Sequence, residues 1–173
     1  MARRVVFVTG GARSGKSRFA QRLVEAWEGP LLYVATAEIR DGEMAERVRR
    51  HQRERGERWE TLDEPLDLVR ALRRARVYGG CLVDCLTLWT ANLMEACGGE
   101  EEGLSRALGA FLRELRSFTG RVCFVSNEVG SGIVPANPLA RRFRDVAGRV
   151  NQEVAARADE AYLVVSGLAL RLK

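Results

Sequence analysis

Gly10-Gly11-Ala12-Arg13-Ser14-Gly15-Lys16-Ser17 satisfies the phosphate-loop pattern G-x-x-x-x-G-K-[ST] at every fixed position. Its surroundings decide whether the match means anything. Arg4 to Val8 reads R-V-V-F-V, a β-branched and aromatic run that predicts a strand. From Lys16 onward Phe19, Ala20, Leu23, Val24 and Trp27 recur at helical spacing until Gly29-Pro30 breaks the pattern. Strand, glycine loop and helix follow one another in the order the motif requires.

The spacing has a physical reason. A polyphosphate needs several backbone N–H groups converging on it, which only a loop with side-chain-free positions offers. Gly10, Gly11 and Gly15 supply those positions, and Ala12, Arg13 and Ser14 carry the backbone between them. The positive end of the following helix adds to the anion field, Lys16 reaches the terminal phosphates, and the Ser17 hydroxyl is a ligand for Mg²⁺. Of 28 basic residues only Lys16 and Lys173 are lysines, so the loop keeps a compact ammonium in a chain that otherwise uses arginine.

At 173 residues with 46% hydrophobic content, the expectation is one globular catalytic domain over 1–173. The net charge of +5 suits an anionic partner, and interleaved acids and bases fit a nucleotide as well as a nucleic acid. Aromatics total 7% and fall mostly at core spacings, which argues against a RecA-like ATPase acting on nucleic acid. Cys81, Cys85, Cys97 and Cys123 form no C-x-x-C pair, so neither a zinc site nor a disulfide framework is expected. No apolar run approaches the ~18 residues of a membrane span and the start lacks a signal-type apolar stretch, so a cytoplasmic protein is expected.

Strands are predicted at Leu31 to Ala35, Trp59 to Leu62, Cys81 to Asp84, Val122 to Ser126, Ala161 to Val165 and Leu168 to Leu172. Helical patterns fall between them: Asp41 to about Arg55, Leu66 to Leu72, Leu86 to Gly98, a segment ending near Phe118, and a long one from Pro138 through Ala158. Alternating strands and helices predict an α/β fold, a mainly parallel sheet covered on both faces. Ala35-Thr36 ends a strand at the carboxyl edge, where open α/β sheets bind ligands; by residue type Thr36 is either a helix cap or a nucleotide contact. Asp84 ends a buried strand, the form of a Walker-B carboxylate that holds Mg²⁺, or else caps the helix starting near Leu86. His51, the sole histidine, shares a helical face with Met44 and Val48 and is surrounded by Arg47, Arg49, Arg50, Arg53 and Arg55. That setting disfavours imidazolium, and a neutral imidazole can attack phosphorus; the alternative is a histidine simply packed beside Met44 and Val48. The loop V-G-S-G-I-V-P-A-N-P after Glu128 is long enough to suggest function.

Taken together, G-G-A-R-S-G-K-S, Y-V-A-T, M-A-x-R-V-x-x-H, W-E-T, L-V-D-C-L-T, S-N-E-V-G-S-G-I-V-P and R-x-F-R-D-V-A-G-R-V-N-Q resemble the bifunctional adenosylcobinamide kinase and adenosylcobinamide-phosphate guanylyltransferase family of cobalamin biosynthesis, over nearly the whole chain. The resemblance implies a three-layer P-loop NTPase fold of the RecA-like branch. It also implies phosphorylation of adenosylcobinamide, with ATP and GTP as nucleotide substrates. A transfer of GMP from GTP to the resulting phosphate follows, through a guanylylated histidine that the helix motif places at His51. Further nucleotide contacts carried over are Ala35, Thr36, Gln52, Arg53, Glu54, Arg55, Asp63 and Asp84, with Mg²⁺ at Ser17 and Asp84, Lys16 and His51 catalytic, and assembly as a homotrimer. The family often has glutamate where this chain has Asp63, and some relatives have paired histidines where it has Arg50-His51. A simple phosphate-loop kinase of another metabolite needs no nucleophilic histidine and is the competing expectation.

Overall fold

A computed structural model describes residues 3–38 and 56–173. Seven strands form one sheet: β1 (Arg4–Gly10), β2 (Leu31–Ala35), β3 (Trp59–Asp63), β4 (Gly80–Asp84), β5 (Arg121–Asn127), β6 (Glu160–Val165) and β7 (Leu168–Arg171). Their order is β3-β2-β4-β5-β1-β6-β7, and only the β6–β7 pair is antiparallel. The described helices are α1 (Lys16–Glu25), α2 (Leu68–Ala75), α3 (Leu86–Ala96), α4 (Glu101–Ser117) and α5 (Pro138–Arg157). The predicted helix over 41–55 lies outside the described residues.

The sheet is covered on both faces because its central strands are apolar at every position rather than at alternate ones. In β1, Val6 and Val8 face one way and pack with Ala20 and Val24 of α1. Val5 and Phe7 face the other way, into the larger cluster built with Leu72 of α2, Trp89 of α3, Phe111 and Leu115 of α4, and Val150 and Val154 of α5. This is the three-layer, RecA-like arrangement: β5 lies between the strand that carries the glycine loop and β4, which ends in Asp84.

Local chemistry sets the helix ends. The Asp67 side chain accepts from the Arg70 N–H and caps α2, so this helix begins at Leu68 and the expected Leu66 stays outside it. Asn137 caps α5, accepting from the N–H groups of Leu139 and Ala140, with Pro138 at the first helical position. α1 stops at Glu25, earlier than the sequence pattern suggests. Trp27 lies beyond it, buried, with the guanidinium groups of Arg4 and Arg121 each 5.7 Å from its ring centre.

Glu114 of α4 is buried and accepts from Arg73 and Arg76 at 3.1 and 2.6 Å, tying α2 to α4. Glu114→Ala removes two charge-assisted bonds and is expected to cost about 1–3 kcal/mol in urea unfolding. Arg106→Ala breaks only an exposed pair with Glu102 on α4; its cost should stay within about 0.5 kcal/mol.

Candidate phosphate-loop site at the carboxyl edge of the sheet

Strand register brings the predicted residues to one edge. Ala35 is level with Asp63 on one side and Asp84 on the other, so the carboxyl ends of β3, β2 and β4 align. Asp84 pairs with Val125, and Val125 with Val8. The glycine loop leaves β1 two residues farther on, at Gly10, at the same edge.

The loop is held by its own backbone and by β6. Ser14 N–H donates to Gly11 O at 3.3 Å, and Phe19 N–H donates to Gly15 O as the first bond of α1. Gly15 begins the helix with φ +92°, a left-handed conformation that a side chain disfavours. At Gly10 the demand is steric: a Cβ there would sit 2.3 Å from the Val164 carbonyl oxygen of β6. A Cβ at Gly11 would meet no protein atom within 4 Å, so packing does not require that glycine. Lys16 is buried and its Nζ donates to Gly11 O at 3.1 Å, folding the ammonium back across the loop. The buried hydroxyls of Thr9 and Ser14 have no protein hydrogen-bond partner. A curved backbone, a buried ammonium, two unused hydroxyls and a helix start together form an anion-binding concavity.

Asp84 does not cap α3. The cap position is Cys85, without a side-chain cap bond, and the Asp84 Oδ2 accepts from the Tyr33 hydroxyl at 3.1 Å. Thr36 caps no described helix either. It is fully buried; its hydroxyl donates to Cys85 O at 2.8 Å and accepts from Cys85 N–H at 2.7 Å, across the cis Asp84–Cys85 peptide. Asn92 of α3 donates to Thr36 O and Pro65 O. Sequence reasoning missed Tyr33, Asn92 and the role of Thr36, since hydroxyl and amide groups whose partners lie some fifty residues away leave no local pattern.

Hard oxygen donors suit Mg²⁺, and the edge offers the Ser17 hydroxyl and the Asp84 carboxylate. Among the described residues no group of three or more His, Cys, Asp or Glu side chains could hold a metal by itself, so phosphate oxygens and water would complete the shell. Burial, and secondarily the Asp84 charge, raises the Cys85 thiol above its ordinary range, leaving it a neutral packing group rather than a nucleophile. His51 and Gln52 to Arg55 lie outside the described residues, so their placement relative to the loop is not described. Among the described residues no helix is long and apolar enough to cross a membrane.

Residues 6–172 match the family described as "Cobinamide kinase / cobinamide phosphate guanyltransferase". A Pseudomonas aeruginosa protein described as bifunctional adenosylcobalamin biosynthesis protein CobP is 43% identical over 96% of this chain and 95% of its own length. The Salmonella typhimurium and Escherichia coli proteins described as bifunctional adenosylcobalamin biosynthesis protein CobU are 42% and 41% identical, each over 98% of this chain and 99% of the relative. A phosphate loop at the carboxyl edge of a RecA-like sheet is common to many enzymes, but a match running from β1 into β7 is not, and the chain belongs to the cobinamide kinase and cobinamide phosphate guanyltransferase family.

Proposed function

We propose that this protein phosphorylates the aminopropanol hydroxyl of adenosylcobinamide and then transfers GMP from GTP to the product, giving adenosylcobinamide-GDP and pyrophosphate. The observation that carries the reading is the phosphate loop, with Lys16 buried against Gly11 and Gly15 opening α1, in a chain alike from end to end to bifunctional relatives. The loop backbone from Gly10 to Ser17 binds the polyphosphate of ATP or GTP, and Lys16 meets its terminal phosphates. Ser17 and Asp84 hold Mg²⁺, with Tyr33 fixing one Asp84 oxygen; the ion neutralises charge on the phosphates when bound. Ala35 and Asp63, level at the ends of adjacent strands, line the nucleotide's path along the edge, and Thr36, buried just beyond Ala35, holds the Cys85 backbone behind them.

Guanylyl transfer takes two displacements. A neutral His51 imidazole nitrogen attacks the α-phosphorus of GTP; the N–P bond forms as the bond to the pyrophosphate oxygen breaks, and pyrophosphate leaves. An oxygen of adenosylcobinamide phosphate then attacks the same phosphorus, the N–P bond breaks, and the imidazole is regenerated. The neutral nucleophile spares the first displacement an anion–anion attack, and in the second the incoming phosphate meets one phosphoryl group with an imidazole leaving group in place of a whole triphosphate. Arg53 and Arg55, close in sequence to His51, offset charge on the phosphates, and Gln52 and Glu54 complete that nucleotide-contacting stretch. We also place the protein in the cytoplasm, and, following the family resemblance, propose that it assembles as a homotrimer.

Three outcomes test this. Lys16→Ala should lower GTP affinity by about 10- to 100-fold in calorimetry, and parent-like binding in that variant would remove the premise. Asp84→Asn should raise the Mg²⁺ concentration needed for half-maximal nucleotide binding by about 10-fold, an effect absent if the carboxylate only packs. Incubation with α-labelled GTP and Mg²⁺ should leave an acid-labile, base-stable label on the protein that disappears in His51→Asn while phosphorylation of adenosylcobinamide survives. Since the chain has no second histidine, label persisting in that variant refutes the covalent route and favours a simple kinase.

A further inference from the structure

A cleft of about 670 Å³ opens at the carboxyl edge between the loop after β5 and one face of α5. It lies beside the phosphate loop: Glu128 N–H, on its wall, donates to Gly10 O at 3.0 Å. Arg144 and Asp145, Gly148 and Arg149, and Asn151 and Gln152 reach it from successive turns of α5.

Two features indicate that the cleft is kept open and polar for a ligand. Gly148 sits in the interior of a 20-residue helix, where glycine costs roughly 0.5–1 kcal/mol relative to alanine. A Cβ at that position would meet nothing within 4 Å, so no packing contact demands the glycine; what it provides is space in the cleft wall. The polar groups also have unused bonding capacity. Among the described residues the side chains of Arg144, Asp145, Arg149 and Gln152 make no hydrogen bond or ion pair. Asn151, 9% exposed, donates to Asn127 O at 3.1 Å, but its Oδ1 has no partner.

The chemistry of the wall selects the ligand. Two carboxylates, Glu128 and Asp145, stand with two guanidinium groups, Arg144 and Arg149, and two carboxamides. A site for a second nucleotide would not keep the carboxylates, which repel phosphate. A primary amide needs an acceptor for its NH₂ and a donor for its carbonyl, and this wall offers both. Cobinamide carries carboxamide arms around a corrin with apolar faces. The loop after β5 and the first turn of α5 expose Ile133, Val134 and Leu139, at 97%, 61% and 66%, as apolar surface for such a face. Pockets of this volume bury one part of a large ligand, so an edge of the corrin enters and the rest lies outside.

We propose that this cleft is the corrinoid site, holding a carboxamide-bearing edge of adenosylcobinamide beside the phosphate loop so that its hydroxyl arm can reach the terminal phosphate of a bound nucleotide. The assignment rests on the function proposed above. Its test is titration of the full-length protein with adenosylcobinamide, followed by visible difference spectra, with GTP affinity and oligomeric state measured on the same samples. Gly148→Leu fills the cleft and should weaken adenosylcobinamide binding 10-fold or more with GTP affinity unchanged. Gly148→Ala should stay within about 3-fold of the parent, since a methyl takes little of the space. Should Gly148→Leu not fold, the pair Asp145→Asn and Arg149→Gln, at partly or fully exposed side chains, should give the same selective loss. Parent-like adenosylcobinamide affinity in the folded variants overturns the cleft assignment alone. Loss of affinity together with a change in oligomeric state identifies the cleft as a contact between copies and also overturns it. A parent that binds no adenosylcobinamide overturns the functional reading, and the proposal with it.

Discussion

The end of β1 is the tightest constraint in the fold. Gly10 lies between β5 and β6, its carbonyl accepting from Glu128 N–H on one side and its Cα so close to Val164 O on the other that a Cβ would come within 2.3 Å of that oxygen. A chain confined in this way must turn out of the sheet at once, and the turn is the phosphate loop. The β6–β7 hairpin closes over it, with Gly167 N–H donating to Ser14 O at 2.8 Å. The shape of the anion-binding concavity is therefore fixed by strand pairing rather than by the loop sequence alone. The last two strands, which carry none of the predicted chemistry, take part in building it.

The two edges of the sheet divide the work. At the amino edge Trp27 lies between two arginines and the Arg58 guanidinium bonds the carbonyls of Glu25, Trp27 and Gly29, a dense set of contacts that ties the end of α1 to the entry of β3. At the carboxyl edge, polar groups just beyond β2 and β4, in β5 and in α3 bond one another: Thr36 with Cys85, Thr87 with Asn127 N–H and Ser126, Asn92 with Thr36. Such bonds orient the ends of strands without filling the space beyond them, which is what a binding edge needs.

Strand and helix positions were legible because each depends on local period and punctuation: four apolar residues, Val5 to Val8, shortly before the glycines, Pro138 opening α5, Gly98-Gly99 closing α3. The phosphate loop was legible for the same reason. The strand order was not, because nothing local in β4 or β5 says that one will lie between β1 and the other. Thr36 read as a cap or a nucleotide contact because a hydroxyl at a strand end usually meets the nearest free N–H; its partner is Cys85, forty-nine residues on. Gly148 passed unnoticed since a single glycine inside a strong helical pattern resembles tolerated noise until the space around it is known.

The two lysines share a trait beyond their scarcity. Lys16 Nζ is held by Gly11 O, and Lys173 Nζ by Ala156 O and Ala158 O at the end of α5, so each ammonium is bonded to main-chain carbonyl oxygen. The remaining positive charge belongs to guanidinium groups, which stay protonated and resist acylation. Reagents directed at primary amines would meet a surface nearly without side-chain targets, and acetylation of lysine could regulate this enzyme at two places only. One of them is the loop itself, where burial and the bond to Gly11 O shield the ammonium, which leaves Lys173 as the more accessible of the two.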